Sequence, residues 1–306
     1  MNSKECSFVN FNKFNNINWK IFILSNKLKL KNIKINYSIL IIPGLGDCVF
    51  NTTQDFNIWP GNLEHIFKPN LSVNFNIRTS SIYPLIDCLK SMGYNDENLC
   101  ILPINFKNIL KDYVNYVELC TEIITTLFKQ NKKQFVLIGH DLGCTILSIF
   151  LNRQTDTFKN HYIHNFICVG DCLGGCPKAL EDIILGVEEI GNYRLIVRNF
   201  EGLHLKIPNE LIYDKTPIFE QCFMKFNCEE IDELFTSNNI HNIDLNRVKN
   251  IQQESLINPR INNLFINNRY SIINDLWKSQ VLIVNEKSNN IFNNINTIIS
   301  ILKHID

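Results

Sequence analysis

The sequence has no net charge: 30 Lys and Arg balance 30 Asp and Glu. That excludes nucleic-acid binding through bulk neutralisation of phosphates, which needs a basic excess. It has no Cys-x-x-Cys pair, although there are 11 cysteines. Cys172 and Cys176 stand close in sequence, but no histidine or cysteine pair at metal spacing accompanies them, so neither a metal site nor a cofactor is expected. An odd number of scattered cysteines fits free buried thiols in a reducing compartment. There is no long apolar run. Ile21–Leu24 falls far short of a signal h-region, or of the roughly 20 residues a membrane span needs. A cytoplasmic location is therefore expected. No internal repeat is visible.

What is present is enough apolar residue, 45% of 306, to fill the core of one large α/β domain with insertions. The pattern centres on Phe135–Cys144. Four apolar residues, Phe135-Val136-Leu137-Ile138, run into Gly139-His140-Asp141-Leu142-Gly143, and a second apolar segment extends to Leu151. A short apolar run bounded by glycine reads as a strand buried on both faces. The following segment suits a buried helix. Strand, tight glycine turn and helix is the setting of the nucleophile elbow, G-x-S-x-G, of α/β hydrolases. The central residue here is Asp141, so an alkoxide nucleophile is excluded. A carboxylate can still form an ester intermediate that water cleaves. The Gly-His-Asp-x-Gly string resembles the elbow of epoxide hydrolases and haloalkane dehalogenases, which carry aspartate there.

Along the chain, residues 1–18 read as a loose N-terminal segment, Trp19–Leu24 as a strand and Lys27–Lys34 as a turn. Tyr37–Ile42 reads as a second buried strand, entering Pro43-Gly44-Leu45-Gly46. In such a fold Leu45 N–H and Leu142 N–H would form an oxyanion hole. Residues 47–80 read as a long irregular loop, a candidate lid, with Trp59 and Phe67 as candidate lipid contacts. Helical spacing covers Tyr83–Met92 and Tyr113–Phe128. Further strands are expected at Asn98–Ile104, Phe166–Gly170 and Val281–Val284, and a last helix at Ile291–Ile305. Short extended pieces fill 193–217, and a polar surface insertion fills 238–263. Strands alternating with helices predict a doubly wound, mostly parallel sheet with helices on both faces. The expected organisation is a single α/β-hydrolase domain over 19–306, with a cap-like insertion at about 186–275.

Several stretches, in consistent order over about 38–220, resemble the lecithin:cholesterol acyltransferase family. Pro43–Gly46 looks like its early oxyanion loop, and Tyr83–Tyr94 like its helix ending in Gly-Tyr. Pro103-Ile104-Asn105-Phe106-Lys107 stands where the family has Pro-Tyr-Asp-Trp-Arg. Val136–Cys144 is similar to its Leu-Ile-Gly-His-Ser-Leu-Gly. Phe166–Leu180, with Gly174-Gly175, is similar to its strand and glycine turn, and Leu205–Pro217 to a stretch ending in Thr-Pro. Order across motifs is more specific than one elbow. The resemblance implies an α/β-hydrolase fold and an acyl-enzyme mechanism with a Ser…Asp…His triad in that chain order. It implies a lipid or acyl-ester ligand and contact with a membrane surface; a protein partner in the retained pocket belongs to the reading in which catalysis is lost.

The departures fall on the chemistry. Asp141 stands at the serine position. The acid signature is absent, although Asp275 lies in the right region, and Asn285–Asn290, where the base is expected, contains no histidine. His304 lies at the far end of the last helix, and His204 and His241 lie in weakly patterned regions. Three readings follow: a lipid O-acyltransferase or phospholipase relative with impaired catalysis, a pure pseudoenzyme binding lipid or a protein partner, and an Asp-nucleophile hydrolase of the epoxide hydrolase type.

Overall fold

The computed structural model describes residues 35–51, 57–59, 72–75, 80–187, 195–267, 272–286 and 288–305. The expected features at 1–34, and Phe67, lie outside the described residues. Trp59 lies in a short strand, and its side chain is outside what is described.

The chain is built on a six-stranded sheet. Its strands are β1 (Ser38–Ile42), β5 (Leu99–Ile101), β6 (Phe135–His140), β7 (Ile163–Val169), β10 (Asn263–Asn267) and β11 (Gln280–Ile283). Their spatial order is β11-β10-β7-β6-β1-β5, and every pairing is parallel. A parallel sheet must be covered on both faces, and alternate residues are buried in two separate clusters. Leu40, Ile42, Leu137, Phe166 and Cys168 enter one. Ile39, Ile41, Val136, Ile138, Ile167 and Val169 enter the other. The first cluster is closed by helices α2 (Ile109–Asn131), α3 (Leu142–Asn152), α5 (Pro177–Leu185) and α9 (Leu245–Leu256). The second is closed by α1 (Tyr83–Ser91) and α11 (Ile295–Ile305). This is the doubly wound, parallel α/β architecture with helices on both faces expected from the sequence. The chain leaves β1 toward β5 on one side and returns to β6 on the other. The strand order therefore reverses beside the carboxyl ends of β1 and β6, where ligand crevices form in open α/β sheets.

Four expectations are corrected. Residues 47–80 are not all irregular: β2 (Cys48–Asn51), β3 (Asn57–Trp59) and β4 (Ser72–Phe75) form a separate three-stranded antiparallel sheet. The weakly patterned stretch expected to be extended is not so over the described residues 195–217. It contains a 3-10 turn at Ile196–Asn199 and two one-turn helices, α6 (Glu201–His204) and α7 (Glu210–Tyr213). The polar stretch 238–263 contains α9, whose buried Val248, Ile251, Gln252 and Ser255 lie at helical spacing. β10 then belongs to the central sheet, so the segment outside the sheet ends at 262 rather than 275. Two further elements, α4 (Asp156–Tyr162) and α8 (Ile231–Ser237), flank β7 and a hairpin, respectively. That hairpin pairs β8 (Phe219–Gln221) with β9 (Met224–Phe226).

Candidate functional site

The turn between β6 and α3 is forced by its glycines. A Cβ on Gly143 would lie 2.0 Å from the carbonyl oxygen of Ile42, and one on Gly139 would lie 2.7 Å from the Cα of Cys144. The helix start can press against the end of β1 only because both positions lack side chains. Asp141, between them, has φ 50 and ψ −116. A non-glycine residue held there costs about 1–3 kcal/mol, a cost the packed surroundings must offset. Asp141 N–H is tied to the Val169 carbonyl at 3.0 Å, and Cys144 N–H to the Asp141 carbonyl at 3.0 Å. Although Asp141 is the N-cap residue of α3, its side chain makes no capping bond and turns away from the helix.

Both carboxylate oxygens of Asp141 are engaged. Oδ2 accepts the Leu45 N–H at 3.1 Å. Oδ1 lies 2.7 Å from the Lys206 Nζ, and the two side chains are only 11% and 16% exposed. Burial by itself would raise the Asp141 pKa; the Lys206 charge, with His140 and the hydrogen bonds, outweighs it and holds the carboxyl below the usual carboxylate range. Burial by itself would lower the Lys206 pKa, and the Asp141 charge more than reverses that, so the ammonium stays charged. Leu142 N–H makes no bond to the carboxylate. Leu142 itself is fully buried as the first residue of α3.

The Leu45 loop is held by an acid that sequence reasoning did not single out. Asp47 Oδ2 accepts the Gly44 N–H at 3.0 Å and lies 2.8 Å from the His140 Nδ1. Its Oδ1 accepts the Ser80 hydroxyl at 3.1 Å and the Ser81 N–H at 2.8 Å. Burial opposes the Asp47 charge, but the bond and charge of His140 and the Ser81 contacts win, so its pKa is lowered. His140 is thus oriented toward Asp47, with its ring edge-on to Phe292 at 5.1 Å. It is a wedge between the β1 loop and the 3-10 segment Ser288–Asn293.

Lys206 was also missed, and its position is fixed from several sides. Gly202 N–H donates to the Phe106 carbonyl at 2.7 Å, and Glu201 N–H to the Lys107 carbonyl at 3.2 Å, pinning α6 to the 103–107 segment. A Cβ on Gly202 would meet Leu45, Leu142 and Phe106 at 3.0 Å each. Cys176 N–H donates to the Lys206 carbonyl at 2.8 Å. The buried Gln252 Nε2 donates to the Leu205 carbonyl at 3.0 Å and the Ile207 carbonyl at 2.7 Å. The available signal was one cation inside the apolar string Leu203-His204-Leu205-Lys206-Ile207, because a buried charge requires a partner.

The other candidates lie elsewhere. His304 bonds Gln280 Oε1 at 2.8 Å, at the start of β11. Asp141 follows the end of β6, so in a parallel sheet the two stand at opposite ends of the strands. The His204 Nε2 is bonded to the Arg198 carbonyl at 2.6 Å, and burial lowers its pKa. His241 is exposed, as is Asp275 on α10 (Ile272–Trp277). Among the described residues, the hydrogen bonds to the Asp141 carboxylate come from Leu45 and Lys206. A cavity of about 430 Å³ opens beside the pair, lined by Asp171, Cys172, Leu173, Ile212, Tyr213 and Asn267 among others. Burial pushes the Cys172 thiol well above its ordinary pKa, which makes it a poor nucleophile. Among the described residues no group of three metal-ligating side chains converges, and no helix is long and apolar enough to cross a membrane.

Residues 72–192 match the family described as lecithin:cholesterol acyltransferase. The phosphatidylcholine-sterol acyltransferase of Mus musculus is 29% identical over 115 residues, which cover 37% of this chain and 26% of that protein. That of Rattus norvegicus is 24% identical over 167 residues, covering 50% and 38%. The lysosomal phospholipase A and acyltransferase of Mus musculus is 24% identical over 164 residues, covering 48% and 40%. The matched part thus spans at most two-fifths of these relatives' length.

Proposed function

We propose that this chain, which belongs to the lecithin:cholesterol acyltransferase family, keeps the cavity of an acyl-ester enzyme as a lipid-binding site and does not turn esters over. In this reading Asp141 stands at the elbow position. The observation that carries it is the double engagement of the Asp141 carboxylate, by Leu45 N–H and by Lys206 Nζ. An ammonium paired to the attacking oxygen withdraws its charge and weakens it as a nucleophile, and acyl transfer needs an empty donor for the developing oxyanion. Here one of the two expected donors, Leu45 N–H, holds the carboxylate itself, and the other oxygen is neutralised by an ammonium. The second step of an aspartyl-ester pathway would also need a base to activate water. Among the described residues no imidazole hydrogen-bonds the carboxylate.

The ligand class is a phospholipid or related acyl ester, consistent with the names of the relatives, and the cavity beside the pair is its site. The cytoplasm suits the ten free cysteines among the described residues. The test uses dihexanoyl phosphatidylcholine below its micelle threshold, with binding followed by calorimetry and fatty-acid release by titration. Heat of binding without release supports the reading. Release by the wild type that disappears in Asp141→Ala overturns it.

A further inference from the structure

The β8–β9 hairpin points to a second function. Gln221 pairs with Met224, so Cys222 and Phe223 alone make the turn. Both have positive φ, 51 and 68, which is the geometry of a tight hairpin turn that asparagine and glycine normally supply. A cysteine and a phenylalanine are strained there. The strain presents the least soluble residue available: Phe223 is 98% exposed and Met224 60% exposed. The hairpin is well anchored below this apex. Ile218 N–H donates to the Phe226 carbonyl at 2.8 Å, and both residues are buried. The side-chain amides of Gln221 and Asn238 bond each other reciprocally at 3.2 and 3.1 Å, tying the hairpin to the end of α8.

We infer that the apex Cys222-Phe223-Met224 inserts into a phospholipid surface. An apex offers neither groove nor flat area to a folded partner, whereas one aromatic and one thioether side chain can enter an acyl layer without further change. The exposed Glu220 and Lys225 of the hairpin cancel in charge, so attachment is apolar rather than electrostatic. The placement fits delivery to the cavity. A second hollow, of about 390 Å³, lies between the hairpin and α5, and Pro177 and Lys178 line both it and the cavity beside Asp141. The exposed Leu185 lies on the same hollow. The inference does not depend on how Asp141 behaves.

The experiment is co-sedimentation with phosphatidylcholine vesicles, comparing the wild type with Phe223→Gly and Phe223→Trp. Glycine accepts positive φ, so Phe223→Gly keeps or raises the melting temperature while its partitioning falls about tenfold or more. Phe223→Trp sediments as the wild type does, with blue-shifted emission on vesicles. Raising the salt leaves wild-type partitioning unchanged. A wild type that stays in the supernatant overturns the inference, as does Phe223→Gly sedimenting like the wild type. Monomeric dihexanoyl phosphatidylcholine, titrated into Phe223→Gly, reads the cavity separately, so failure there counts against the cavity and not the hairpin.

Discussion

Asp141 and Lys206 each make the other's burial tolerable. Removing one partner leaves an uncompensated charge at a site open to little water, which costs about 3 kcal/mol or more. Lys206→Met therefore lowers the unfolding free energy by roughly that amount at neutral pH, measured by urea denaturation. Asp141→Asn in the same background recovers most of it, because no lone charge remains. The pH dependence changes sign with the pair. In the wild type the Asp141 pKa is lowered on folding. Its contribution is fully present above the ordinary carboxylate value of about 4, and is lost as pH falls through the lower folded value. In Lys206→Met burial dominates and raises the folded pKa above the unfolded one. Stability is then greatest below the ordinary carboxylate value and declines as pH rises from there through the raised folded value. A urea midpoint that follows the same pH curve in both proteins would contradict this.

The turn and its neighbours hold that pair in place. Gly143 lies so close to the Ile42 carbonyl that Gly143→Ala must separate α3 from β1. Overpacking of this kind destabilises by about 3 kcal/mol. Thermal unfolding checks it, and a melting temperature within a degree of wild type would contradict it. Gln252 on α9 acts at longer range, through its bonds to the carbonyls on either side of Lys206. Gln252→Leu leaves both carbonyls unpaired in a buried place, at a cost of about 2–3 kcal/mol. It also loosens the Lys206 backbone, so amide exchange at residues 205–207 quickens more than in the central strands. Equal acceleration everywhere would mean that Gln252 serves only global stability. The sequence announces the strands and α3 clearly, because β1 and β6 carry continuous apolar runs that end in glycine turns. It conceals α9 and β10, because α9 is amphipathic with asparagine and glutamine on its outer face, and β10 is a short Asn-Leu-Phe-Ile-Asn string amid asparagine. Asn267 looks like surface, yet it is buried and bonded to Asp171.

For the molecule as a whole, the fold and the tight glycine turn between β6 and α3 were readable from local pattern, since both rest on residues adjacent in sequence. The engagement of Asp141 was not. Leu45, Asp141 and Lys206 meet only when the β1 loop, the α3 turn and the segment after α6 converge, and nothing in their spacing says so. Asp141→Ser consequently restores no turnover: it supplies a hydroxyl but leaves Lys206 without its counter-charge and adds no imidazole. Ester hydrolysis by that variant at a rate above the Asp141→Ala background would show that Lys206 itself serves as a base. The most direct measurement is the carboxyl carbon resonance of Asp141, followed by NMR as a function of pH in the wild type and in Lys206→Met. The expected wild-type carboxylate stays ionised below the ordinary carboxylate range and takes up its proton above that range once Lys206 is gone. A wild-type Asp141 that protonates at or above the ordinary value, unaffected by Lys206→Met, would mean that the carboxylate is free, and the silent reading of this site would be wrong.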